Sequence, residues 1–146
     1  MESCVSESLD REAVIQAYLR HAALGSADEE YFWGWEAVTE FVRSRPAAEA
    51  WELVLELLDR ASEDEVGLVI AGPLEDLVCQ HGATLVSEIE QRAVADEYFR
   101  WALGGIWLSR GELPDDVLYR IVHASGGAIR PTPPLEELER RSRPDI

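Results

Sequence analysis

Glu75, Asp76, Cys79 and His81 bring two carboxylates, a thiol and an imidazole together within a short stretch of the sequence. Carboxylates beside an imidazole can do general acid–base chemistry, and the thiol and imidazole can hold a metal ion. The spacing works against both. Neighbouring residues on a helix point about 100° apart, so Glu75 and Asp76 do not easily share a proton. Cys79 and His81 would point about 200° apart. The simpler roles are structural. Two acids opening a helix complement its dipole, worth about 0.3–1 kcal/mol each. His81, next to Gly82, is placed to meet the free carbonyls of a helix end. The other histidines, His21 and His123, lie far away in sequence and form no metal-ligand spacing. With no nucleophile elbow, phosphate loop or dinucleotide fingerprint, the sequence reads as a non-enzyme without catalytic residue, metal or cofactor. An enzyme using Glu75, Asp76 and His81 stands as an alternative, and it requires those side chains to converge in a cleft beside Pro73.

The stretch that must position these residues is 62–82, SEDEVGLVIAGPLEDLVCQHG. Ser62 and Glu65 match a capping box at a helix start. Val66, Leu68, Val69 and Ile70 precede the Gly72-Pro73 pair, and Leu74, Leu77 and Val78 follow it at helical spacing. Proline has no N–H and crowds the preceding turn, so the pattern predicts two helical pieces joined by a bend. Gly82 is expected to end the second piece, with a new helix starting beyond it.

Similar punctuation divides the rest of the chain. Ser8 is the expected N-cap of a first helix carrying Ile15, Tyr18 and Leu19, ended by Gly25. Asp28, Glu29 and Glu30 introduce a second helix rich in aromatics, and Pro46 suits the first turn of a third. Asp96 is the expected cap of a helix running through Trp101 to Trp107, weakened at Gly104-Gly105. Pro114 opens a last helix that Ser125-Gly126-Gly127 stops. No strand-like alternation occurs. The expected fold is all-α, with about seven short helices in a compact antiparallel array. Asp64 to Leu77 resembles one HEAT-type repeat, which allows superhelical stacking, although no second copy recurs at a fixed period. Residues 1–125 are expected to form one helical domain, and 126–146 a Pro/Gly-rich linker with a polar tail or short helix.

Charge is the most informative bulk property. The 146 residues hold 29 acids against 13 bases, a net charge of −16, and every base is arginine. Residues 1–97 hold 22 acids and 6 arginines, so the imbalance is local. Nucleic acid and anionic membrane need a cationic surface and are poor partners, whereas a basic protein is a good one. No apolar run reaches the roughly 20 residues of a membrane span, and two cysteines make no disulfide framework; a cytoplasmic protein is expected. Host codon usage or a salt-loving host would also account for such a composition.

The acids are ordered as well as numerous. Glu49, Glu52, Glu56, Asp59 and Glu63 recur at spacings of 3, 4, 3 and 4, which lines them along one helix face. Arg60 is the only base nearby on that helix, so the row looks uncompensated and suited to a basic partner. The five tryptophans recur at helical spacing and most are expected in the core. Trp33 and Trp35 cannot share a face, so one of them is expected at the surface, as an interface anchor amid acids.

Ala71–Leu77, His81-Gly82, Ile89-Glu90, Phe99-Arg100 and Gly105-Ile106-Trp107 resemble the motifs of a bacterial family of unknown function, over about residues 31–123. That resemblance implies a helical domain and no activity. The leading expectation is a non-enzymatic acidic interaction domain, such as an immunity protein or antitoxin covering a basic toxin. A small regulatory or scaffold domain is the alternative.

Overall fold

A computed structural model describes residues 3–108 and 111–129, with side chains from Arg11 onward. Every regular element among the described residues is helical, so the fold is all-α. The helices are α1 (Ser3–Leu24), α2 (Phe32–Ser44), α3 (Ala47–Arg60), α4 (Glu63–Val69), α5 (Glu75–Ala95), α6 (Glu97–Leu103) and α7 (Asp115–Ala124). A π turn, Ile70–Leu74, joins α4 to α5 without a break. Counted as one rod, that run leaves six helices. The chain divides into two compact units, Met1–Leu77 and Val78–Ile146, and α5 passes from one to the other.

In the first unit α1 packs most closely on α2, because Gly34 has no side chain. A Cβ there would lie 2.6 Å from the backbone nitrogen of Tyr18 and 2.7 Å from the carbonyl carbon of Ala17. Glycine costs helix stability, but here it lets two backbones touch. Around that contact Ile15, Tyr18, Val38, Val42, Leu53, Val54 and Leu57 are buried. On α3 the buried face runs through Ala50, Leu53, Val54, Leu57 and Leu58, leaving Trp51 and Leu55 half-buried at its edges.

The second unit centres on the later turns of α5, where Leu85, Val86, Ile89 and Ala93 are all buried. Asp96 caps α6 as expected, accepting from the backbone N–H of Tyr98 at 3.0 Å and of Phe99 at 3.2 Å. Arg120 on α7 grips both carboxylate oxygens of Glu90 on α5. That hydrogen bonding holds the Glu90 carboxyl below the usual carboxylate range. After α7, Gly126 and Gly127 adopt positive φ, and the chain returns so that Ile129 is buried. The expected tail beyond Ile129 lies outside the described residues.

Several boundaries differ from the sequence expectation, each for a local reason. Helix α1 begins at Ser3, with Ser8 inside it; no glycine or proline before Ser8 stops a helix. Gly82 does not terminate a helix but lies inside α5, buried. A Cβ there would stand 3.2 Å from Leu113 Cδ2 and 3.3 Å from Ile121 Cδ1, so packing rather than termination requires glycine. His81 therefore sits within a helix and not at its carbonyl end. Helix α6 stops at Leu103, before the Gly104-Gly105 pair, and Gly104 abuts Ala128: an added Cβ would come within 2.8 Å of the Ala128 Cβ. The tryptophans are the largest correction, since none of the five is buried. Trp101 is 59% exposed and Trp107 71%. The inward face of α6 belongs instead to Phe99, Ala102 and Leu103.

Candidate functional site

The Gly-Pro motif is explained by Tyr18. In the π register Glu75 N–H donates to the carbonyl of Ile70, five residues back. Pro73 sits inside this turn and has no N–H to donate. Tyr18, fully buried on α1, donates its hydroxyl to the Leu68 carbonyl at 3.0 Å. Gly72 leaves room for the hydroxyl, since a Cβ there would approach the phenol oxygen to 3.3 Å. Burial, reinforced by the charge of Asp76, pushes the Tyr18 hydroxyl far above its usual range and keeps it a neutral donor. Pro73 thus lies within a change of helix register rather than at a helix end, and the Tyr18 hydroxyl ties α1 to this turn.

Glu75 and Asp76 open α5 immediately after this turn. Asp76 lies 3.8 Å from Arg43 on α2, in the same unit. His81 is five residues beyond Asp76 on one continuous helix, about 140° around its axis. Helix geometry thus spreads the three residues around a cylinder. Among the described residues no group of three or more His, Cys, Asp and Glu side chains could hold a metal ion.

The acidic row along α3 and the start of α4 is only partly unpaired. Glu49 meets Arg45 at 3.2 Å. Glu56 takes Arg11 of α1 at 3.0 Å and Arg60 at 3.2 Å. Arg60 in turn grips Glu12 of α1 through both oxygens, at 2.9 and 2.7 Å. The Arg60 hydrogen bond, helped by Gln16, pulls the Glu12 carboxyl down to about 2. The expectation of an uncompensated row therefore fails at Glu49 and Glu56, because Arg11 is brought in by tertiary packing and Arg45 precedes the helix. Glu52, Asp59 and Glu63 remain exposed without an ion-pair partner among the described residues. These three are the part of the row facing outward.

Trp33 and Trp35 do separate, as their spacing requires. Trp35 is half-buried and stacks on Phe32 at 5.3 Å between ring centroids. Trp33 is 47% exposed, with Glu36 and Glu40 exposed one and two turns further along α2. Trp33 also walls a concavity of about 580 Å³ that the sequence did not announce. Ala13, Ala17 and Leu19 of α1 provide apolar lining, with Gln16, Arg20, Tyr31 and Glu65 as polar neighbours. Arg20 is held 5.8 Å above the centroid of the Tyr31 ring, within cation–π reach. Beneath this corner His21 donates from Nδ1 to Asp28 at 2.9 Å, both side chains being almost fully buried. Asp28 also accepts from the backbone N–H of Tyr31 at 3.0 Å. The His21 bond, with those from the backbone, holds the Asp28 carboxyl below its usual range despite burial. This stitch fixes the loop that presents Tyr31 and Trp33. The sequence signal for it was slight: one histidine seven residues before an aspartate.

No helix among the described residues is long and apolar enough to cross a membrane. No curated protein and no solved structure matches the chain significantly. A family model does match, over residues 22–129, which takes in the helices from α2 to α7 and the last turn of α1. The chain therefore belongs to DUF6869, a family of unknown function.

Proposed function

We propose that this protein is a non-enzymatic acidic interaction domain whose partner is a basic protein, bound through the outward carboxylates of α3 and the start of α4 and the exposed Trp33. The observation that carries the reading is the set Glu52, Asp59 and Glu63, exposed and without an ion-pair partner among the described residues. It sits in a unit whose 77 residues hold 18 acids against 5 arginines, hence −13. Such a surface attracts a cationic protein over about a Debye length, roughly 10 Å at 0.1 M salt, and repels nucleic acid. Trp33, flanked by Glu36 and Glu40, supplies the apolar contact that charge alone cannot. An immunity protein or antitoxin that covers a basic toxin is one role of this type.

The test is retention of proteins from a native lysate at low and high salt, compared between the wild type and the double reversal Glu52→Arg, Asp59→Arg. Both positions are exposed, so the fold should survive; Glu56 is avoided because Arg11 and Arg60 hold it. A basic protein retained at low salt, lost at high salt and lost on reversal is the expected result. Retention indifferent to salt and to reversal sinks the proposal. A small scaffold domain whose acidity reflects host composition is the competing reading. The internal pairing of Glu49 and Glu56 favours it, since those acids serve the fold.

A further inference from the structure

Arginine is scarce in this chain, and nearly all of it is engaged by carboxylates. Every other arginine whose side chain is described lies 2.5–3.8 Å from a carboxylate oxygen. Arg20 has no such partner among the described residues, in a molecule where acids outnumber bases more than two to one. It lies instead over the Tyr31 ring, in the wall of the concavity beside Trp33. A guanidinium carries five N–H donors in a planar fork, and an aromatic face uses none of them.

The neighbouring polar groups are already engaged. Glu65 contributes Oε1 to the backbone N–H of Ser62 at 2.8 Å, as part of the cap on α4. Gln16 donates its amide to Glu12 at 2.8 Å. The strongest hydrogen-bond donor left in the concavity is therefore the Arg20 guanidinium, while Glu65 keeps its second carboxylate oxygen and its charge. We infer that this concavity seats a carboxylate carried by the partner, gripped by Arg20 and flanked by Trp33 and Tyr31. The inference rests on the acidic-domain reading, and it names what that partner must present.

Two considerations select a tethered carboxylate. Free small anions are kept away by the −13 field of the unit, which a carboxylate embedded in a cationic segment overcomes. A lysine or arginine drawn in by the acidic unit would instead meet the like charge of Arg20. Planar, forked pairing also fixes register, which a diffuse attraction between oppositely charged surfaces does not.

The probes are basic peptides of lysine, arginine and glycine, identical except for one central residue: glutamate, glutamine or lysine. Binding is followed at low salt on the full chain by the side-chain Nε–Hε signal of Arg20. The glutamate peptide should bind roughly tenfold tighter than its glutamine twin, the scale of one charge-assisted pair, and should shift the Arg20 signal. Arg20→Gln should abolish that preference while leaving the far-ultraviolet circular dichroism unchanged, and Arg20→Glu should reverse it towards the lysine peptide. Equal binding of all three peptides, or a preference that survives Arg20→Gln, overturns the carboxylate seat and leaves the acidic-domain reading standing. Binding by none of them at low salt overturns both.

Discussion

Replacing Tyr18 by phenylalanine should damage the protein far more than the loss of one oxygen from a surface would. The ring stays buried, so hydrophobic burial is retained, and what disappears is the O–H donated at 3.0 Å to the Leu68 carbonyl. Removing the donor from a part-buried hydrogen bond of this kind costs about 1–3 kcal/mol. With roughly 2–4 °C of melting temperature per kcal/mol for a chain of this size, a loss of about 2–12 °C follows. Gly72 gives an independent check. Alanine there should gain about 0.5–1 kcal/mol of helix propensity, but in the wild type its Cβ would press on the phenol oxygen at 3.3 Å. Tyr18→Phe removes that oxygen, so Gly72→Ala should be more favourable in the Tyr18→Phe background than in the wild type by at least about 0.5 kcal/mol. Urea unfolding followed by circular dichroism on the four proteins measures the cycle. A Tyr18→Phe protein within about 0.5 kcal/mol of wild type at unchanged slope would refute this account of the π turn.

Two further perturbations test the packing and the ion pairs. Gly34→Ala should lower stability by about 3 kcal/mol or more despite better helix propensity, because its Cβ meets backbone atoms of α1 that cannot rotate away; a urea midpoint at or above that of wild type would contradict the close contact of α1 and α2. Glu12, at about 2 in the folded protein against 4.5 ordinarily, stabilises the fold above pH 4.5, and that contribution is lost as the pH falls towards 2. The stability difference between wild type and Glu12→Gln, followed by thermal melts, should therefore be full at neutral pH, shrink below pH 4.5 and vanish near pH 2. A difference that stays constant across that window would mean the Arg60 bridge does not form.

Much of the architecture follows from local rules acting on neighbours in sequence. Apolar spacing, the box of Ser62 and Glu65, the Asp96 cap and the stop at Gly126-Gly127 depend on contacts within a few residues, which the sequence displays directly. The separation of Trp33 from Trp35 and the row from Glu49 to Glu63 follow likewise from the helical period. What a residue does across the fold was decided by tertiary structure. Gly72-Pro73 reads as a bend between two helical pieces, because the sequence cannot show that Tyr18, on a distant helix, bonds to this turn. Gly82 reads as a helix end, and nothing in the sequence singles out Gly34, but each is small because another element presses on it. The row of acids reads as uncompensated because Arg11 reaches Glu56 only once the fold brings α1 within ion-pair reach of α3. Arg20 is the converse case. Ordinary in sequence, it stands out only when the folded chain pairs the other described arginines with acids and leaves this one over an aromatic ring beside a cavity. Periodicity reports which face of a helix is apolar, whereas only packing reports what lies against that face.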